Sequence, residues 1–138
     1  MVDDTPGDGD GAQVIEVRTA AIPAVIPTLR TVAADVAMRQ DFDLDAIEDV
    51  RMAVDEACSL LLGSASDGNL RCVFTTSPNR IEVSVSVLTD SPELADGNAL
   101  GWQLLSALTT SVKRSVTPAE RGYLARVELV REGETASR

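Results

Sequence analysis

With 138 residues, the chain has the length of one domain able to bury a proper core, and its 44% hydrophobic and 25% charged content is that of an ordinary globular protein. It contains no histidine, which excludes Ser-His-Asp and Cys-His nucleophile systems and histidine-containing zinc sites. A net charge of −10 with 3% aromatic residues argues against nucleic-acid binding and favours partners that carry basic patches.

No stretch approaches the ~20 unbroken apolar residues of a membrane span, and the first residues are acidic where a signal peptide is basic. The expectation is a cytoplasmic protein without a membrane partner. Cys58 and Cys72 lie in apolar patterns and read as buried free thiols. "MVDDTPGDGDGA", residues 1–12, reads as a disordered acidic tail, and "EGETASR", 132–138, as a second tail. One domain over 13–131 remains.

"QVIEVRTA" alternates as a first strand, with Val14, Glu16 and Arg18 opposite Ile15 and Val17. The next segment sets Val25, Ile26, Leu29, Val32, Ala33 and Val36 at helical spacing, with Pro27 in the first turn. A second helix starts at a capping-box-like Asp45 and Glu48 and ends at Gly63. "NLRCVFTTS" and "RIEVSVSVL" read as strands joined by "SPNR", the second with Ile81, Val83, Val85 and Val87 on one side. "ALGWQLLSALTTSV" reads as a third helix carrying Leu100, Leu104, Leu105, Leu108 and Val112. "KRSVTP" and "GYLARVELVR" close the domain as a hairpin around Ala119 to Gly122. Helices can cover only the apolar face of such a sheet. The fold class is therefore α+β, a two-layer α/β sandwich with a mainly antiparallel sheet and helices on one face.

Within the second helix, "VRMAVDEACSLLLG" aligns Val50, Ala53, Val54, Ala57, Cys58 and Leu61 as a core stripe. Glu56 points away from that stripe but has apolar Met52 and Leu60 one turn to either side, as on the wall of a cleft. Asp90 ends the third strand, and Gly97 and Gly101 flank the start of a helix whose N–H groups suit an anion. Singly, these residues read as a solvated acid, a turn residue and a flexible loop. In this order they form a constellation.

"AVDEACSLLL" and "ALGWQLLSALTTSV" resemble the N-box and glycine box of the GHKL (Bergerat-fold) ATPases. More narrowly, the chain is similar to their bacterial anti-sigma branch, the RsbW-like serine-protein kinases of the sigma-B and sigma-F switches. The resemblance covers roughly residues 14 to 131. It implies the histidine-kinase-like ATPase fold, with Glu56 as the catalytic general base and Asp90 as the buried acceptor of the adenine amino group. It also implies that Gly97, Leu100 and Gly101 hold phosphates at the helix start. The implied function is an anti-sigma factor in stress-response transcription regulation, sequestering an alternative sigma factor and countered by an anti-anti-sigma protein of STAS type. The implied assembly is a homodimer, and the implied cofactor is ATP. Departures from the pattern bear on catalysis. Leu60 stands where the family has its magnesium-binding Asn, so no metal ligand is assigned. Ala99 replaces the first glycine of the phosphate box, and Tyr123 and Leu124 follow Gly122 where the family has threonines. Weak ATP binding and degraded serine kinase activity are expected. Two further readings stay open: a binding module that has lost catalysis, and a serine kinase outside sigma control.

Overall fold

A computed structural model of the protein describes residues 12–93 and 99–133. In chain order these residues form β1 (Gln13–Ala20), a 3-10 turn (Pro23–Val25), α1 (Ile26–Met38), α2 (Leu44–Leu62), β2 (Asn69–Ser77) and β3 (Arg80–Thr89). Then come α3 (Ala99–Leu108), β4 (Ser111–Pro118) and β5 (Tyr123–Glu132). The strands make one antiparallel sheet in the order β1-β2-β3-β5-β4. With the three helices this is an α+β two-layer sandwich. The tails and Gly97 fall outside the described residues, apart from Ala12, Glu132 and Gly133, and Glu132 belongs to β5 rather than to a tail.

Period-two alternation sets the sheet's inner face. Leu70, Cys72, Phe74 and Thr76 from β2, Ile81, Val83, Val85, Val87 and Thr89 from β3, and Ala125, Val127 and Leu129 from β5 are all buried. Opposite them, α2 contributes Val50, Ala53, Val54, Ala57, Cys58 and Leu61, and α1 contributes Leu29, Ala33, Val36 and Ala37. Burying each large apolar side chain contributes about 1.5–3 kcal/mol, more than any single exposed ion pair. This core therefore dominates stability.

The element ends show where local chemistry departs from the reading of the sequence. Asp43, not Asp45, caps α2: its carboxylate accepts the Ala46 N–H at 2.8 Å, while Asp45 sits in the first turn. Helix α3 stops at Leu108, and Val112 packs on the core from β4. The stripe of α3 that faces the core is Gly101, Leu105 and Leu108, so Leu100 is 74% exposed and Leu104 36%. One ion pair joins the two helices and another joins helix to sheet. Arg30 of α1 donates to Asp55 of α2 at 3.0 Å, and Arg131 of β5 donates to Asp49 of α2 at 3.0 Å.

On the outer face, Glu16 accepts hydrogen bonds from both Arg18 and Arg71, and these guanidiniums hold its carboxyl down to about 2, Arg71 first. A carboxyl lowered in the folded state stabilises above its ordinary value of 4.5, and that contribution is lost as pH falls through about 2. Glu16→Gln should therefore lower the urea midpoint at pH 7, with the gap to wild type narrowing from pH 4.5 towards 2.

Gly122 closes the β4–β5 turn with φ +78°, and a Cβ there would stand 2.5 Å from the Thr89 carbonyl oxygen. Gly122→Ala should cost about 2–4 kcal/mol, combining left-handed strain with a backbone overlap. Gly63 has φ −70° and open space around it, so Gly63→Ala should shift stability by no more than about 0.4–1 kcal/mol, in the stabilising direction. Urea titration of both variants measures the contrast.

Candidate functional site

Helix α2 carries Glu56, the first of the candidate residues. Its inner stripe locks the helix onto β3 and β5, which leaves Met52, Glu56 and Leu60 on the flank. Glu56 is half-buried and makes no ion pair or side-chain hydrogen bond among the described residues. Met52 is exposed, whereas Leu60 is partly buried and packs on the core. Asp55, next to Glu56, is committed to Arg30 of α1. Thus α2 presents one engaged carboxylate and one unengaged carboxylate side by side.

Helix α3 packs beside α2 and carries Leu100 and Gly101 in its first turn. Leu100 projects to solvent and Gly101 is buried. The start of α3 offers the positive end of a helix dipole. Behind it, Arg114 of β4 stacks on Trp102 with its guanidinium 4.5 Å from the ring centroid. The indole Nε1 is shielded from water and has no hydrogen-bond partner among the described residues.

Asp90 does not occupy the buried position expected of it. The same alternation that sends Val85 and Val87 inward sends Thr89 inward, to 4% exposure, and leaves Asp90 exposed. Thr89 Oγ1 accepts the Ser91 N–H at 3.2 Å, and Ser91 Oγ in turn accepts the Glu93 N–H at 3.1 Å. A tight serine turn therefore follows β3. The period from Ile81 to Val87 already carried this signal, and counting one step further identifies Thr89. Arg30 had no comparable signal, because its ion pair depends on how α1 packs against α2.

A resident magnesium ion needs hard oxygen donors. Leu60 supplies none, Asp55 is paired with Arg30, and among the described residues no three Asp, Glu, Cys or His side chains gather. Glu56, one turn before Leu60, is the unengaged oxygen donor on this flank. Leu100 and Gly101 lie in the first turn of α3, and Asp90 is exposed after the end of β3.

An anti-sigma-F factor, RsbW, of Mycobacterium tuberculosis strain H37Rv is 32% identical to this chain over 110 residues, covering 79% of the chain and 66% of the relative. The chain belongs to the RsbW family. A serine-protein kinase RsbW of Bacillus subtilis strain 168 is 31% identical over 86 residues, covering 59% of the chain and 54% of the relative. Another of that name, from Bacillus anthracis strain A0248, is 33% identical over 75 residues, covering 52% and 47%. The chain thus spans about half to two thirds of the length of these curated relatives. No family model matches it. Among the described residues no helix is long and apolar enough to cross a membrane.

Thiol chemistry has no place at this site. Burial pushes the Cys58 thiol up to about 12, with the Asp55 charge adding to the shift, and burial raises Cys72 as well. Since the thiolate is the reactive form, Ellman's reagent at pH 8 should leave both cysteines untouched in the native protein and titrate both in urea. Rapid native reaction would show that α2 opens locally.

Proposed function

We propose that this chain is an anti-sigma factor that captures an alternative sigma factor of the sigma-B/sigma-F type and is countered by an anti-anti-sigma protein of STAS type. The observation that carries the reading is the 32% identity with an anti-sigma-F factor across 79% of the chain. In this reading the protein acts in the cytoplasm as a homodimer and governs a stress-type transcriptional switch. ATP, when bound between α2 and α3, would supply a phosphoryl group for a serine of the antagonist. Glu56 would take the serine proton, Leu100 and Gly101 would lie at the phosphates together with Gly97, and Asp90 would meet the base from the solvent side.

A second reading, binding without brisk catalysis, has a specific observation behind it. General-base help is worth about 10²–10⁴-fold only when the phosphoryl group is already held in place. Here the helix position that would need an oxygen donor is Leu60, and the neighbouring Asp55 is taken by Arg30. Capturing a sigma factor requires surface complementarity and no chemistry, so capture outlasts this loss.

The test is radiolabel transfer from ATP to the purified antagonist, run beside a sigma pull-down. Transfer by wild type should be slow and nearly independent of magnesium, and Leu60→Asn should raise it and restore magnesium dependence. Sigma capture should persist in wild type and in Glu56→Ala. Brisk wild-type transfer would restore the full-kinase reading. Absence of capture in a folded protein would sink the anti-sigma reading.

A further inference from the structure

Strand β1 is one edge of the sheet, and its hydrogen bonding fixes which peptide groups face that edge. The Ala21 N–H donates to the Gly68 carbonyl at 2.7 Å, one step beyond the pairing of Ala20 with Asn69. Bonded positions alternate along an antiparallel ladder, so Gln13, Ile15, Val17 and Thr19 bond to β2. The peptide groups of Val14, Glu16, Arg18 and Ala20 therefore point to the open edge, and all four residues are exposed. Their side chains share the outer face of the sheet. There Arg18 donates to Glu16 through Nε, and its Nη groups have no acceptor among the described residues.

The opposite edge is guarded. The Ala119 N–H donates to the Gly122 carbonyl at 3.0 Å, so by the same count β4 turns the peptide groups of Val112, Arg114, Val116 and Pro118 outward. Pro118 has no N–H to offer, and the cations Lys113 and Arg114 sit side by side in mid-strand. Proline and charge are how sheet edges avoid pairing. Strand β1 has no proline and carries one charge of each sign.

We propose that two copies of the chain pair antiparallel through β1 about a two-fold axis at Val17, joining their five-stranded sheets into one. At this register Glu16 faces the partner's Arg18, Val14 faces the partner's Ala20, and the open positions exchange about eight hydrogen bonds. Symmetry makes each contact twice. A shift of two residues in either direction sets Glu16 against Glu16 or Arg18 against Arg18, and like charges directly opposite destabilise a sheet. A shift of one residue sets open peptide groups against groups already bonded to β2. One register thus satisfies backbone and charge together. The inference rests on the homodimer of the reading above and gives it a surface, while capture of a sigma factor is a separate matter.

Sedimentation equilibrium of the full chain over a range of concentrations reads the association. Wild type should dimerise. Glu16→Arg and Arg18→Glu each set like charges opposite at two symmetric places, and each should weaken the dimer roughly tenfold or more. The double variant Glu16→Arg/Arg18→Glu makes the charges opposite again and should recover the dimer, which general destabilisation would not do. Thr117→Lys, a charge added on β4, should leave association unaltered, and thermal melts establish that each variant is folded. In Val17→Cys the two thiols meet at the axis, where facing Cα atoms stand about 4.5 Å apart. Diamide should take their two hydrogens and close an interchain disulfide, whereas Ala20→Cys should not cross-link. A dimer that neither charge reversal weakens would overturn this interface and leave the homodimer standing. A monomer at every concentration would overturn both, and sigma capture by that monomer would still uphold the anti-sigma reading.

Discussion

Everything in this fold depends on β3 being paired on both sides in fixed register. Arg80–Thr89 bonds to β2 along one edge and to β5 along the other, so the inward residues of three strands meet α2 as a single surface. A slip of one residue would turn Val83, Val85 and Val87 to water and Glu82, Ser84 and Ser86 into the core. Burial therefore specifies the register strongly. The turns at either end agree with it. Asn79 holds φ 64° between β2 and β3, and its side chain donates to the Gly133 carbonyl at 3.0 Å while the Gly133 N–H returns a bond to Asn79. Hairpin and last strand are thereby latched together at one end, and Gly122 against Thr89 fixes the other.

The strands and the two hairpins were legible because each strand carries its own alternation, and the core stripe of α2 was legible because helical spacing is equally local. The order β1-β2-β3-β5-β4 was not, because pairing of β1 with β2 and of β3 with β5 joins segments distant in sequence. What escaped was of two kinds. Some misses came from adjacent residues competing for one role: Asp43 against Asp45 for the cap, and Thr89 against Asp90 for the inward position. The leucines of α3 fit more than one helical face, and the packing of α3 on α2 settles that Leu105 and Leu108 turn inward while Leu100 and Leu104 stay exposed. Other features belong to no single segment. The Arg30–Asp55 pair and the facing of Arg18 and Arg71 across Glu16 require positions far apart in sequence to become neighbours. Asp55 and Glu56 look alike as letters, and only the structure separates the engaged carboxylate from the unengaged one.

Charge is unevenly used across the two faces. On the helix side, Asp49 and Asp55 serve as struts that join α2 to β5 and to α1, and their partners Arg131 and Arg30 are partly shielded. Partial shielding strengthens such pairs relative to fully wet ones. On the outer face, the short-range network of Glu16, Arg18 and Arg71 relieves repulsion that the sheet itself creates. An acidic protein thus keeps a cationic stripe inside its own hydrogen-bonded scaffold. The helical flank keeps a different arrangement, with Asp55 paired to Arg30 and Glu56 unengaged between Met52 and Leu60. Two surfaces of contrasting character lie back to back across a core two layers thick.

The stacked Arg114–Trp102 pair has an optical consequence. Trp102 is the chain's one tryptophan, so intrinsic indole fluorescence reports a single place, the seam between α3 and β4. A cation held over the ring and an indole N–H shut away from solvent give that emission a wavelength and quantum yield set by how α3 sits. Movement of α3 would therefore be read as a colour change even while the sheet, with its far larger share of the buried surface, stays intact.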